Sequence, residues 1–143
     1  EVRLKLECRG LEILACDSKW LDEAVQQEIP ESKLVVDLRK VNEIEKLPET
    51  LKDKGITRVS IPVTAQSWSE QDMDMLRREF LRGSSPVVVM SAGGQRAALM
   101  VLQHVARVEQ WPLDKALEKC PEVANRAELK QLLADYLNRH SRS

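Results

Sequence analysis

Near its start the chain alternates apolar and polar positions. Val2, Leu4 and Leu6 are followed, after Arg9-Gly10, by Leu11, Ile13 and Ala15. Period-two alternation interrupted by a glycine-bearing pair predicts a β-hairpin. The period then lengthens: Trp20, Leu21, Ala24 and Val25 fall at helical spacing, with Ser18 as the expected N-cap and Pro30 as the stop. Leu34-Val35-Val36-Asp37-Leu38 is a short apolar run with β-branched residues, the pattern of a strand buried on both faces.

The alternation of strand and helix continues. Leu47 to Lys54 reads as a short helix closed by Gly55, and Thr57 to Val63 as another strand. Ser69 with Asp72 forms a capping-box pattern ahead of Met73, Leu76 and Phe80, and Gly83 ends that helix. Pro86 opens Val87-Val88-Val89-Met90, the run with the strongest strand character. A glycine-containing loop follows, then a helix with Ala98, Val101, Leu102, Val105 and Val108 on one face. Pro112 starts a short segment. Asn125 with Glu128 is the expected cap of a last helix burying Leu129, Leu132, Leu133, Tyr136 and Leu137. Three βα units in succession predict an α/β fold: a mainly parallel central sheet with helices on both faces, preceded by the hairpin. Residues 1–143 read as one domain. Glu, not Met, stands first, as in a processed product or a domain excised from a longer chain.

Composition narrows the function classes. The chain is 43% hydrophobic and 31% charged with a net charge of −1, and no run of like charge forms a tail. Such a balance offers no field for nucleic acid or anionic lipid. No apolar run approaches the ~20 residues that span a bilayer. The three cysteines, Cys8, Cys16 and Cys120, form no CxxC, and His104 and His140 stand far apart, so neither a zinc site nor another cofactor is expected. An odd, small cysteine count fits a reducing, cytoplasmic compartment, although Cys8 and Cys16 on a hairpin leave one bridge open beside the simpler reading of two free thiols.

The loop Ser91-Ala92-Gly93-Gly94-Gln95-Arg96 carries the candidate chemistry. A turn from a buried strand into a helix leaves backbone N–H groups without acceptors. Gly93 and Gly94 let the chain curl so that these groups converge, and the helix dipole adds positive potential. Arg96 supplies a fork of donors matched to phosphate oxygens. The Gly-Lys-Ser/Thr ending of a Walker loop and the three-glycine spacing of a dinucleotide fingerprint are both missing. Asp37, Arg39 and Trp68 are possible pocket-lining residues; Asp37 with Arg39 reads equally as a local ion pair, and Trp68 and Trp111 as packing residues. His104 falls off the apolar stripe of its helix and is expected at the surface.

Val87 to Arg96 resembles the signature loop of the cysteine-dependent tyrosine and dual-specificity phosphatases, in which a strand leads into His-Cys, four or five residues, and Arg. The nearest likeness is to bacterial small phosphatase-like domains, some fused to metallo-β-lactamase-type hydrolases, whose loop reads roughly His-Cys-Arg-Ser-Gly-x-Arg. Val35-Val36-Asp37-Leu38-Arg39 resembles that group's Val-Ile-Asn-Leu-Arg strand, and Gly55 to Val63 resembles its Gly-Leu-x-Tyr-x-x-Ile-Pro-Val segment. The likeness runs from about residue 34 to 105. It implies the fold, a phosphate-binding loop, and catalytic positions at Ser91 and Arg96.

The departures bear on activity. With the four-residue spacer the nucleophile position holds Ser91; with the five-residue spacer it holds Met90. Neither is a thiol, whose depressed pKa in a positive socket is what makes a cysteine work there. Ala97 follows the arginine where a serine or threonine is common. Thr64-Ala65-Gln66-Ser67-Trp68 occupies the stretch from which the resemblance would supply a general-acid aspartate, and the first carboxylate is Glu70.

Three functions therefore stand side by side. One is a catalytically impaired, phosphatase-like domain that binds a phosphate-containing or other anionic ligand, with a protein partner or parent chain. Another is an active phosphatase whose cysteine was exchanged for Ser91. The third, weaker for want of a Gly-His-Ile-Pro-Gly-Ala stretch, is a rhodanese-like or structural interaction module.

Overall fold

A computed structural model of the chain describes residues 2–40, 42, 55–64, 69–83 and 86–141. The helix expected over 47–54 lies outside the described residues. Strands β1 (Arg3–Cys8) and β2 (Leu11–Asp17) form the hairpin. Its turn places Arg9 at φ 52° and Gly10 at φ 85°, the two positive values that let a tight turn follow the strand twist. Cys8 pairs with Leu11 and Cys16 with Arg3, so the two thiols are not cross-strand partners. All three cysteines are free and buried.

Strands β3 (Leu34–Asp37), β4 (Thr57–Ser60) and β5 (Val87–Ser91) complete a five-stranded sheet of order β1-β2-β5-β3-β4, parallel except for the hairpin. The fourth strand stops at Ser60, three residues before the expected end. Beyond it Ile61 N–H still reaches the Asp37 carbonyl (3.0 Å) and Val63 N–H the Leu38 carbonyl (3.2 Å), so the chain keeps running beside β3.

Alternate side chains of the sheet feed two cores. Leu14, Cys16, Val35, Val88 and Met90 pack under α1 (Leu21–Gln27). Ile13, Ala15, Val36, Val87 and Val89 face the other way, toward α2 (Glu70–Arg82), α3 (Gln95–Glu109), α4 (Leu113–Lys119), α5 (Pro121–Ala124) and α6 (Ala127–Arg139).

The third helix departs from its sequence pattern. It has no solvent face over most of its length: every residue from Arg96 to Ala106 is buried. The sheet covers one side and α4 to α6 cover the other. Each large apolar side chain so enclosed contributes about 1.5–3 kcal/mol relative to exposure, which makes α3 the rod around which the domain is built.

Helix caps are mixed. Ser69 Oγ accepts from Asp72 N–H at 3.2 Å while Asp72 Oδ2 accepts from Ser69 N–H at 2.8 Å, the reciprocal box expected before α2. Ser18 does not cap α1. The helix starts after Trp20, and it is Asp17 Oδ1 that accepts the Trp20 N–H (2.8 Å). Nor does Asn125 cap α6: Asn125 closes α5, and Arg126 stands at the N-cap without a side-chain hydrogen bond. Only Asn125 and Arg126 separate the two helices, so the residue that closes α5 stands one position too early to cap α6.

Candidate anion-binding site

Ser91 ends β5 with its side chain fully buried, on the same side of the strand as Val87 and Val89 and therefore toward α3. Its Oγ accepts the Ala97 N–H at 3.2 Å. Ala97 is the third residue of α3, so the hydroxyl satisfies one of the orphan amides of the helix start. Met90 points the other way, into the core beneath α1. Of the two residues at the nucleophile position, Ser91 therefore lies against the helix and Met90 does not.

The turn depends on one glycine. Gly94 is the N-cap of α3 with φ 83°, a conformation that penalises any Cβ. A Cβ there would also lie 2.6 Å from Val2 Cβ and 3.1 Å from Asp17 N. Gly93 lacks the positive φ, and a Cβ built on it meets nothing within 4 Å. Of the two glycines expected to let the chain curl, Gly94 is the one whose conformation and surroundings exclude a side chain.

Ser18 Oγ donates to the Ala92 carbonyl at 3.4 Å. Peptide planarity then puts the Gly93 N–H on the opposite side of that bond. The first bond of the helix ladder runs from Ala98 N–H to the Gly94 carbonyl (2.9 Å), so the helix itself provides no acceptor for the amides before Ala98.

Arg96 is turned inward and is 7% exposed, with Nη1 donating to the Val63 carbonyl at 2.8 Å. The guanidinium thus spans from the start of α3 to the segment after β4. Asp37 and Arg39 sit at the end of β3 and engage each other. Arg39 Nε and Nη2 donate to the two carboxylate oxygens, each at 2.9 Å, and Arg58 adds Nε to Oδ2 at 3.0 Å. Burial alone would raise the Asp37 carboxyl, but the Arg39 and Arg58 guanidiniums outweigh it and hold it below the usual carboxylate range. Asp37 and Arg39 form a buried ion pair that Arg58 joins from the surface. Trp68 lies outside the described residues.

None of the cysteines is activated. Burial, with a contribution from the neighbouring Asp17, pushes the Cys16 thiol up to about 12, and burial likewise raises Cys8 and Cys120. His104 is not at the surface but 3% exposed, 4.6 Å from the Phe80 ring. Burial, reinforced by Arg77 and Arg107, lowers its pKa to about 4. His140 is held by Glu70 (3.0 Å), so neither histidine stands beside Ser91 as a base. Among the described residues no group of three His, Cys, Asp or Glu side chains is placed to hold a metal, and no helix is long and apolar enough to cross a membrane.

Two features escaped the sequence. Gln95, the first residue of α3, accepts from Arg126 Nε and Nη2 at 3.2 Å when its amide oxygen faces the guanidinium, as those donors require. The other is a cavity of about 1030 Å³ lined by His104, Arg107 and Trp111, with Phe80, Arg77 and Arg9, at the C-terminal end of α3. No residue of the 91–96 loop lines it. Neither carries a local signal, because each depends on segments distant in the chain.

A parallel sheet behind an antiparallel hairpin, with a strand-loop-helix turn ending in an inward arginine, is a fold shared with solved structures of phosphatases. No known family's sequence profile matches the chain, and no curated protein matches it. The likeness is carried by solved structures. A candidate phosphatase of Neisseria meningitidis is 22% identical, with 93% of this chain and 96% of that one covered at a TM-score of 0.65. A candidate phosphatase (DUF442) of Shewanella putrefaciens is 15% identical over 99% and 95% at 0.69. The core catalytic domain of the PP-IP phosphatase SIW14 of S. cerevisiae, in complex with citrate, is 14% identical over 91% and 83% at 0.66.

Proposed function

We propose that this is a phosphatase-like domain whose loop 91–96 binds a phosphate-containing or similar anion without covalent catalysis. The carrying observation is Arg96, buried and directed inward at a helix start whose amides have no helical acceptor. Helix N-termini are ready sites for dianions, and charge-assisted hydrogen bonds from an arginine add about 1.5–3 kcal/mol each. A structural neighbour described with citrate is consistent with an anionic ligand.

The absence of catalysis rests on the nucleophile. Ser91 is fully buried with its Oγ used as a helix cap, and among the described residues no histidine or carboxylate hydrogen-bonds to it. Met90 is buried in the opposite core, and the three thiols are held protonated. Arg96 therefore serves ligand binding, and a protein partner or parent chain would read out the bound state.

Calorimetric titration of phosphate, sulfate and vanadate tests the reading. The wild-type protein binds and Arg96→Ala does not; equal binding by both overturns it. A parallel assay with p-nitrophenyl phosphate is expected to show no turnover above the Arg96→Ala background. Arg96-dependent turnover would make the domain an enzyme after all.

A further inference from the structure

Toward the C-terminal end of α3 two buried polar atoms have no hydrogen-bond partner among the described residues: Nδ1 of His104 and Nε of Arg77. Both residues line the cavity of about 1030 Å³, His104 from α3 and Arg77 from α2. His104 is only 3% exposed, and a polar group buried without a partner is costly to a fold. Two such groups on the wall of one hollow are the donors that a binding site keeps for an incoming acceptor. Arg77 Nε is always a donor, and Nδ1 of a neutral imidazole carries the proton in one of its two tautomers.

The wall decides what kind of acceptor fits. It carries three arginines and two histidines, and no aspartate or glutamate stands among the described residues that line it. Asp74 approaches Arg77 at Nη1, at 4.0 Å and with its own side chain half exposed (52%), and leaves Nε unanswered. Beyond the effect of burial, it is Arg77 and Arg107 that hold the His104 imidazole neutral, so both charges are felt inside the hollow. Phe80, Trp111 and Leu137 give the same wall an apolar, partly aromatic side. Backbone carbonyls at this helix end make it a poorer place than the loop for a compact dianion. A single negative charge on an apolar body suits it.

We propose that this cavity is a second binding site, for an organic monocarboxylate with an aromatic or aliphatic body. The carboxylate accepts from Arg77 Nε and His104 Nδ1–H, and the body lies against Phe80, Trp111 and Leu137. No residue of the 91–96 loop lines the cavity, so the site stands whether or not that loop binds phosphate.

Cinnamate and its uncharged amide, titrated calorimetrically into wild type, Arg77→Met, Trp111→Leu and Arg96→Ala, provide the test. Wild type is expected to bind cinnamate about tenfold more tightly than the amide, as one charge-assisted hydrogen bond would give. Arg77→Met keeps an apolar stem and should bring the two probes within about twofold of each other. Trp111→Leu should weaken both by a similar factor, about threefold or more. Arg96→Ala should bind both as wild type does, and saturating phosphate should not displace cinnamate. In NMR spectra of the wild type, which need no variant, cinnamate should shift the His104 ring resonances and leave the Gly94 amide unmoved. A wild type that binds no cinnamate, or binds the amide as well, overturns the site, as does a folded Arg77→Met protein that keeps the preference. Displacement by phosphate, loss of binding in Arg96→Ala, or a shift at Gly94 without one at His104 would put the probe at the loop and overturn it equally.

Discussion

At its N-terminal end α3 holds Arg96 beneath a loop of backbone amides; at its C-terminal end it holds His104 and Arg107 beside the cavity of about 1030 Å³. Both ends gather arginine, but their backbones present opposite signs. The N-terminal end offers N–H groups without helical acceptors. At the other end the carbonyls accept: Ala106 receives N–H groups from Gln110, which is left-handed at φ 57°, and from Trp111. Arg107 in the last turn answers that negative end and donates to Tyr136 Oη at 2.9 Å. Its charge is accounted for by the fold. The cavity at the C-terminal end is therefore not where an anion is best received; the sign of the unpaired backbone groups matters more than the volume available.

Acid sharpens this contrast most. His104 has its pKa lowered from 6.5 to about 4 when folded, so between those values the unfolded chain binds a proton that the native one does not. Stability is then lost as pH falls from about 6.5 toward 4, by on the order of 3 kcal/mol in total. Urea titrations of wild type and His104→Leu across that range check it: the variant's stability should fall less steeply. Parallel curves would mean that the C-terminal end is already open to water.

The N-terminal end is most sensitive at Gly94. Gly94→Ala is expected to cost about 2 kcal/mol or more, combining the left-handed penalty with overlap against Val2. Gly93→Ala should cost less than about 1 kcal/mol, there being open space around it. Denaturant midpoints measure both, and equal losses would break the assignment of the turn to one glycine. Ser91→Ala should cost about 1–2 kcal/mol in the same assay, because the Ala97 N–H loses its acceptor. The smallest effect belongs to the far end. Arg77→Ala should leave phosphate affinity within about twofold, that distance being screened by salt. A larger change would couple the cavity to the loop.

Much of the fold was legible because its signals are local. The hairpin, the buried β5, the Ser69–Asp72 box and the loop with its arginine each lie within a few residues. The Asp37–Arg39 pair was legible for the same reason, since residues two apart share a strand face. Arg58 was not, as it reaches Asp37 from the adjacent strand. His104 was misplaced because an apolar stripe assumes a helix with one wet face, and α3 has none over most of its length.

From the amino-acid order alone came the α/β architecture, the position of the candidate loop and the lack of a thiol in it, all consequences of short-range periodicity and residue chemistry. Tertiary structure alone settled which glycine the turn requires, where Ser91 and Arg96 point, and what stands next to Gln95. Those outcomes depend on Val2, Val63 and Arg126 arriving from remote parts of the chain, and through-space packing of that kind leaves no periodic trace in sequence.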